Sequence, residues 1–314
     1  MGRIASLTST TVAALLLGSC AVWDAAKTKV ENIQELPAVE VIGLGVNEPC
    51  AVDRSGARRL SGAYLRTVAG SLGGMTFAVT GKANKPSTAP LPRNMAIDDR
   101  VLRSLGADDE GQLTGWRQSV AAPIAALNTR TTLPLAYNLS YRAAGTDYTG
   151  PLVVGIPPLQ DNVPLLGQAS HSGAVAITYT TVGDDGSTAI STAIGSFTML
   201  VGYGSGRATF RAGDFTVTDG AALPFARLRW TRLGLCGARL VSSGQGVASL
   251  YDADERRVPT LGPNADPTAG VLLFDASQFA ASDTTDAPSD VGGVFAIQGD
   301  ATSLTGVFLS RPPP

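Results

Sequence analysis

The chain has 314 residues, of which 16% are charged, and its formal net charge at pH 7 is −2. This near-neutral balance gives no electrostatic basis for binding nucleic acid, so we expect no nucleic-acid partner. Glycine occurs 36 times, and together with frequent Thr, Ser, Ala and Val it favours many short strands joined by tight turns over a helical bundle.

The N-terminus has the pattern of a secretory signal. Arg3 supplies one positive charge, an apolar stretch covers residues 12–17, and the small residues Gly18 and Ser19 precede Cys20. The apolar stretch is shorter than the roughly 20 residues that a membrane-spanning helix needs. An ordinary signal peptide with a chance cysteine and an uncleaved anchor are the alternatives.

The run Leu17-Gly18-Ser19-Cys20 resembles the lipobox of bacterial lipoproteins. This resemblance implies a signal peptide over residues 1–19, cleavage between Ser19 and Cys20, diacylglycerol on the Cys20 sulfur, and an acyl chain such as palmitate on the new amino terminus. An Asp at position 21 would resemble an inner-membrane retention signal, so Ala21 implies an outer-membrane location, on its periplasmic or its surface face.

Two further cysteines remain if lipid occupies Cys20, namely Cys50 and Cys236. An exported protein meets an oxidising compartment, so the two remaining thiols predict one disulfide. Two buried free thiols are the alternative, because the sequence does not say whether the two Cα atoms come close enough to be bridged.

Residues 20–36 are polar and predict a tether between lipid and folded body, and residues 37–166 predict a small β-rich subdomain. Strand-like patterns cover residues 58–68, 74–79 and 133–142. The segment 82–92 is rich in Pro, Ser and Thr and predicts a loop.

One short helix is predicted over residues 94–105. Apolar residues recur there at helical spacing between Asn94, a suitable N-cap, and Gly106, a suitable stop. The acidic residues Asp98 and Asp99 are expected on the polar face of this helix.

From about residue 167 apolar and polar residues alternate, which is typical of strands with one buried face. The predicted strands cover residues 174–181, 196–203, 207–217, 228–231, 239–243, 270–274, 292–297 and 303–309. Gly204-Ser205-Gly206 predicts a hairpin turn. The spacing of these strands predicts an antiparallel barrel or sandwich, and closing the sheet would remove its exposed edges.

Several glycine-flanked segments in this half resemble the barrel domain of the transferrin-binding protein B-like lipoproteins. They are Ser172-Gly173-Ala174, Gly195-Ser196-Phe197-Thr198, Tyr203-Gly204-Ser205-Gly206, Val291-Gly292-Gly293-Val294-Phe295 and Leu304-Thr305-Gly306-Val307-Phe308. The family's Gly-x-Phe-Tyr-Gly-like segment is replaced by Ser277-Gln278-Phe279-Ala280-Ala281, in which only the Phe matches. No motif of residues 37–166 matches the family.

The resemblance implies a mainly β protein with an antiparallel barrel of about eight strands over residues 167–314, preceded by a handle-like subdomain over residues 37–166. It implies an outer-membrane lipoprotein that binds an extracellular or periplasmic ligand, such as a protein, haem or another iron source, through barrel loops. The polar segments 261–267 and 283–290 are candidate loops. The alternative is a structural or assembly lipoprotein of the envelope without a small-molecule ligand, which a contiguous apolar patch would favour.

The sequence predicts no enzyme, metal or cofactor. His171 is the only histidine, and no Gly-x-Ser-x-Gly elbow accompanies it, so we expect it on a loop, exposed or locally hydrogen-bonded. Asp184-Asp185-Gly186 and residues 252–255 predict turns rather than calcium sites. Residues 202–207 lack the Lys-Ser/Thr pair of a phosphate-binding loop, and Trp230 is expected in the core.

Overall fold

The computed structural model describes residues 59–68, 71–82, 94–97, 100–103, 115–119, 122–143, 146–185, 187–242, 247–258, 271–281, 286–298 and 302–310. The regular elements in these ranges are seventeen β-strands and two short 3-10 segments, Ile124–Leu127 and Gln160–Asn162. The predicted signal peptide and tether, with Ser19 and Cys20, and the predicted disulfide partner Cys50 lie outside the described residues.

The first seven strands form one antiparallel sheet, the front sheet, in the order β4-β3-β2-β1-β7-β6-β5. Its strands are β1 (Arg59–Val68), β2 (Ser71–Lys82), β3 (Asn94–Ile97), β4 (Arg100–Arg103), β5 (Gly115–Ser119), β6 (Leu135–Ala143) and β7 (Thr146–Gly155). The strands predicted at residues 58–68, 74–79 and 133–142 correspond to β1, β2 and β6, whereas β5 and β7 were not predicted as strands.

The helix predicted over residues 94–105 is wrong. This segment contains the two short strands β3 and β4, which pair with each other, and Ala96 of β3 pairs with Thr80 of β2. Backbone pairing with the edge of the front sheet therefore overrides a helical spacing that extends over only three turns. Asp98 and Asp99, expected on the polar face of that helix, lie outside the described residues.

The remaining strands form an antiparallel barrel. They are β8 (Gln168–Val182), β9 (Thr188–Gly202), β10 (Arg207–Asp219), β11 (Arg227–Cys236), β12 (Arg239–Val241), β13 (Val247–Tyr251), β14 (Arg257–Val258), β15 (Val271–Ala280), β16 (Pro288–Gln298) and β17 (Thr302–Ser310). Eight of them close a ring in the order β8-β9-β10-β11-β12-β15-β16-β17, with β17 returning to β8. The predicted antiparallel barrel of about eight strands is confirmed.

The barrel interior is filled by aromatic side chains. Neighbouring ring centroids lie 4.7 to 6.3 Å apart, the range in which aromatic pairs attract each other. The rings belong to Phe197, Phe210, Trp230, Phe274, Phe295 and Phe308, all at most 2% exposed. Trp230 lies in the core, as the sequence predicted.

Four barrel strands, β8, β15, β16 and β17, have buried residues on both faces because the front sheet covers their outer side. In β8, Val175 and Ile177 belong to the interior cluster, whereas Ala174 and Ala176 pack in a second cluster with Val153 of the front sheet. Small outward side chains let the two layers approach closely. A Cβ on Gly292 of β16 would lie 2.7 Å from Val153 Cγ1, so only glycine fits there.

None of the helical segments in the described ranges is long and apolar enough to cross a membrane.

Candidate functional site at one end of the barrel

Four connections meet at the end of the barrel where β8 begins, which we call the Leu165 end. They are residues 156–167, 203–206, 237–238 and the described part of the connection between β15 and β16, residues 281, 286 and 287. Backbone hydrogen bonds join three of them to their neighbours: Tyr203 N–H donates to the Gly167 carbonyl at 3.0 Å, and Gln278 N–H donates to the Ala238 carbonyl at 2.7 Å. The loops are therefore mounted on a rigid sheet, the usual arrangement for recognition loops.

Leu165 and Leu166 are the most exposed large apolar residues among the described positions. They are 85% and 80% exposed and occupy the segment Val163-Pro164-Leu165-Leu166-Gly167. Val163, by contrast, is buried against the barrel interior. The loop is anchored by Val163 and carries two adjacent leucines into solvent, beside the turn at Gly204.

Beneath these loops the barrel is closed. The Tyr203 hydroxyl donates to Gln278 Oε1 at 2.7 Å, and both residues are buried. Burial of the Tyr203 hydroxyl raises its pKa. Since this pair lies above an interior filled with aromatic rings, contacts at this end are made on its outer surface.

A buried polar cluster lies at the same end and centres on Asp290. Arg130 Nη2 donates to Asp290 Oδ1 at 2.5 Å, and the hydroxyls of Ser310 and Ser289 donate to the carboxylate at 2.9 and 3.1 Å. Arg130 comes from the chain after Ile124–Leu127, so this ion pair links the front sheet to the barrel. The Asp290 side chain is 6% exposed.

His171 belongs to this cluster, which corrects the expectation of a loop position. It lies inside β8 and is 7% exposed, because β8 begins six residues earlier than the sequence pattern indicated. Burial lowers the pKa of the imidazole, while the nearby Asp290 carboxylate and a hydrogen bond with the Ser289 backbone raise it by less. Its Nε2 has no hydrogen-bond partner.

The two serine hydroxyls of this cluster, those of Ser289 and Ser310, both donate to Asp290 rather than to the imidazole. The Ser310 hydroxyl donates to Asp290 and accepts a hydrogen bond from Val291 N–H at 2.9 Å, so it is held by the acid rather than by the base that a hydrolase requires. The cluster therefore joins structural elements.

The other polar motifs form turns, as predicted. Asp185 Oδ1 accepts from Ser187 N–H at 2.9 Å, and Asp252 Oδ1 accepts from the backbone N–H groups of Asp254 and Arg256. These are local side-chain caps of the turn backbone. Hydrogen bonds from the Ser187 side chain and then from the Ser187 backbone lower the pKa of Asp185. In the part of the chain that the structure describes, no group of three or more His, Cys, Asp or Glu is arranged to hold a metal ion.

The remaining predicted site residues are partly described. Cys236 ends β11 at the Leu165 end, but Cys50 lies outside the described residues, so their disulfide stays a prediction. Segment 261–267 also lies outside them. Of segment 283–290 the structure describes residues 286–290, and these lie at the Leu165 end.

Sequence reasoning missed both Leu165–Leu166 and the partners of Asp290. The leucines carried a usable signal, since they lie between Pro164 and Gly167, where an apolar pair cannot belong to a strand interior. The Arg130–Asp290 contact carried none, because 160 residues separate its partners.

Neither a protein-family model nor a curated protein matches the chain. Solved structures of the proteins that the sequence segments resemble are similar to it. Intact transferrin-binding protein B (Ap-TbpB, N and C lobes) is 13% identical, with a TM-score of 0.41, over 80% of this chain and 45% of that one. A transferrin-binding protein B mutant from Haemophilus parasuis Hp5 is 11% identical, with a TM-score of 0.39, over 81% and 46%.

A crystal structure of a surface lipoprotein is 8% identical, with a TM-score of 0.32, over 82% of this chain and 98% of that one. The chain spans less than half the length of the transferrin-binding protein B structures it matches.

Proposed function

We propose that this chain is a non-enzymatic outer-membrane lipoprotein that binds a protein ligand through the Leu165 end of its barrel. In this proposal residues 1–19 are the signal peptide, residues 20–36 the tether, residues 37–166 a handle-like domain and residues 167–314 the barrel domain. The observation that carries the ligand-binding role is the exposed pair Leu165–Leu166 on a loop anchored to the barrel.

An exposed leucine pair favours a protein ligand. Burying each of these side chains would be worth about 1.5–3 kcal/mol, and adjacent apolar residues on an ordered loop are typical of interaction sites. Haem or another small iron compound would need an enclosing cavity, whereas the barrel interior is occupied by packed aromatic side chains. Transferrin is the first protein to test, since the sequence segments resemble proteins named for binding it.

Binding to immobilised transferrin and to haemin tests this proposal. We expect transferrin to bind saturably and haemin not to bind, and we expect Leu165→Ser/Leu166→Ser to weaken binding at least tenfold. The matched control is Ile190→Ser/Val217→Ser, which removes two exposed apolar side chains, 55% and 37% exposed, from strands β9 and β10 and should bind as the wild type does. Equal losses in both variants would contradict a site at the Leu165 end. Absence of binding to both probes would favour the structural or assembly role.

The lipid anchor is tested at Cys20. Cys20→Ser removes the sulfur that would carry diacylglycerol, so we expect loss of labelling by radioactive palmitate and release of the protein from the membrane fraction. Cys50→Ser, which keeps the lipobox intact, is the control and should stay labelled. A Cys20→Ser protein that remains in the membrane fraction would refute the anchor.

The proposed Cys50–Cys236 disulfide has its own test. Mass spectrometry of non-reduced peptides from exported protein should show the two cysteines linked, and Cys236→Ala should lower the free energy of unfolding by about 2–4 kcal/mol because the crosslink restricts the unfolded chain. Alkylation of both thiols in the native, non-reduced protein would rule the bond out.

A further inference from the structure

Two neighbouring strands of the barrel wall carry a row of outward arginines. On β10 and β11 the inward positions hold Ala208, Phe210, Leu228 and Trp230, which are buried. Arg207, Arg211 and Arg229 occupy exposed outward positions between them, and Arg232 is exposed at a β-bulge of β11, where its φ is +61°. These four arginines define the arginine stripe.

The charges of the arginine stripe are not neutralised within the described part of the chain. Neighbouring Arg227 pairs with Glu255, but no stripe member has a carboxylate partner among the described residues. Arg211 pairs directly with Arg229 across the two strands, and like charges at such positions destabilise a sheet. The residues paired with them on the next strands, Thr198 of β9 and Ser249 of β13, are neutral, so neither pairing supplies a carboxylate that would offset the repulsion. Repulsion between unpaired arginines is unexpected in a chain of net charge −2, and an anionic partner bound at this surface would neutralise it.

The stripe lies on the free side of the barrel. The front sheet packs on β15, β16, β17 and β8. In the eight-strand ring β10 and β11 occupy the opposite side, so the front sheet leaves them uncovered.

Apolar side chains flank the stripe on both neighbouring strands. Leu200 of β9, 47% exposed, pairs with Thr209 of β10, and Val247 of β13, 40% exposed, pairs with Thr231 of β11. Basic groups edged by exposed apolar groups fit the boundary between lipid headgroups and acyl chains. Guanidinium groups bind phosphate through paired hydrogen bonds. A soluble linear polyanion would use the charges but not the apolar edges.

We propose that the arginine stripe binds an anionic phospholipid surface, laying the β10–β11 wall against the membrane with the front sheet facing away. The stripe deepens the proposed function, since a lipid on Cys20 would hold the barrel near such a surface, but its affinity resides in the barrel itself. It can therefore be measured without the lipid.

The test uses the full chain carrying Cys20→Ser, with sedimentation of phosphatidylcholine vesicles with and without phosphatidylglycerol. We expect binding only with phosphatidylglycerol, and weaker binding at higher salt. Each arginine near an anionic surface strengthens binding about fivefold, so Arg211→Gln/Arg229→Gln should bind about thirtyfold more weakly. Arg211→Lys/Arg229→Lys keeps both charges and should retain most of the binding. Removing the facing charges should leave the thermal midpoint unchanged or higher, so lost binding would not reflect unfolding.

The charge-matched control is Arg256→Gln/Arg257→Gln, which removes two positive charges beside the stripe, one of them paired with Asp254. It should weaken binding less than about threefold, and an equal loss in both double variants would overturn the stripe as the site. Absence of binding to phosphatidylglycerol vesicles would overturn the proposal, as would binding to dextran sulfate without binding to vesicles. None of these vesicle results bears on the lipid anchor, which is tested separately by palmitate labelling and membrane fractionation of cells that express the wild type or Cys20→Ser.

Discussion

His171 has an unusual position for the only imidazole of a chain. Its side chain is buried at the start of β8, and Nε2 lacks a partner, although burying a polar group without a hydrogen bond costs stability. Charging the ring there costs more, because burial removes water from the imidazolium and the nearby Asp290 carboxylate offsets only part of that cost. Burial therefore holds the pKa below 6.5, and the native state favours the neutral ring.

This position makes stability depend on pH. Between the lowered folded-state pKa of His171 and about 6.5, the unfolded chain binds a proton that the native state does not, so the free energy of unfolding falls as the pH falls below 6.5. The slope is at most about 1.4 kcal/mol per pH unit for one proton. Urea unfolding between pH 7.5 and 5.5 should show a shallower loss for His171→Gln than for the wild type. Identical pH profiles would contradict this role of His171.

At the scale of elements, burial on one or two faces decides the composition of each barrel strand. The strands β9, β10 and β11 alternate apolar and polar residues because only their inner face is covered. In β17 the covered outer face adds Val307 and Leu309 to the inward Leu304 and Phe308. Gly306, between them, pairs with Phe295 of β16, whose ring occupies the space above it.

A methyl group at Gly306 has no room. Its Cβ would lie 2.1 Å from Phe295 Cζ, and that ring is held by Phe274, Trp230 and Phe210. We expect Gly306→Ala to lower the free energy of unfolding in urea by about 1–3 kcal/mol, the usual cost of overpacking a core.

The control is Gly213→Ala in β10, where a Cβ would meet Arg227 Cγ at an ordinary 3.4 Å. It should change stability by less than about 0.5 kcal/mol. Equal effects at the two glycines would show that the Phe295 ring moves aside.

At the scale of the whole molecule, the front sheet and the barrel are joined by an apolar layer and by a side-chain ion pair. The layer contains Ala63, Leu65 and Val153 of the front sheet with Val294 and Val307 of the barrel. The ion pair is Arg130–Asp290, in which Arg130 is 28% and Asp290 6% exposed. Breaking a buried pair leaves one charge uncompensated, although Ser289 and Ser310 still donate to the carboxylate.

Arg130→Ala should therefore lower the free energy of unfolding by about 1–3 kcal/mol, the cost of removing a charged partner from a buried acceptor. Arg256→Ala removes an arginine from the exposed pair with Asp254 and should cost at most about 0.5 kcal/mol. Urea denaturation of both variants measures the difference, and a loss for Arg130→Ala as small as that for Arg256→Ala would contradict its linking role.

The sequence determined the class of fold because alternation along one strand is a local property. Residues 196–203 and 207–217 show that alternation and became β9 and β10, and Trp230 could be assigned to the core from its place in a strand. The same local reasoning failed at residues 94–105, where a short apolar spacing fits both a helix and a hairpin and the pairing of Ala96 with Thr80 chose between them.

Only the tertiary structure decided what meets across long stretches of chain. It buried His171 beside Asp290, placed Arg211 against Arg229, and left Leu165 and Leu166 in solvent. Each of these features depends on strand register and on which barrel face the front sheet covers. Both of these are set by contacts between distant segments, so no short segment of the sequence predicts them. The lipobox at Cys20 needs no folded partner to be recognised, so the predicted location of the protein rests on sequence, whereas the surfaces proposed for binding rest on the fold.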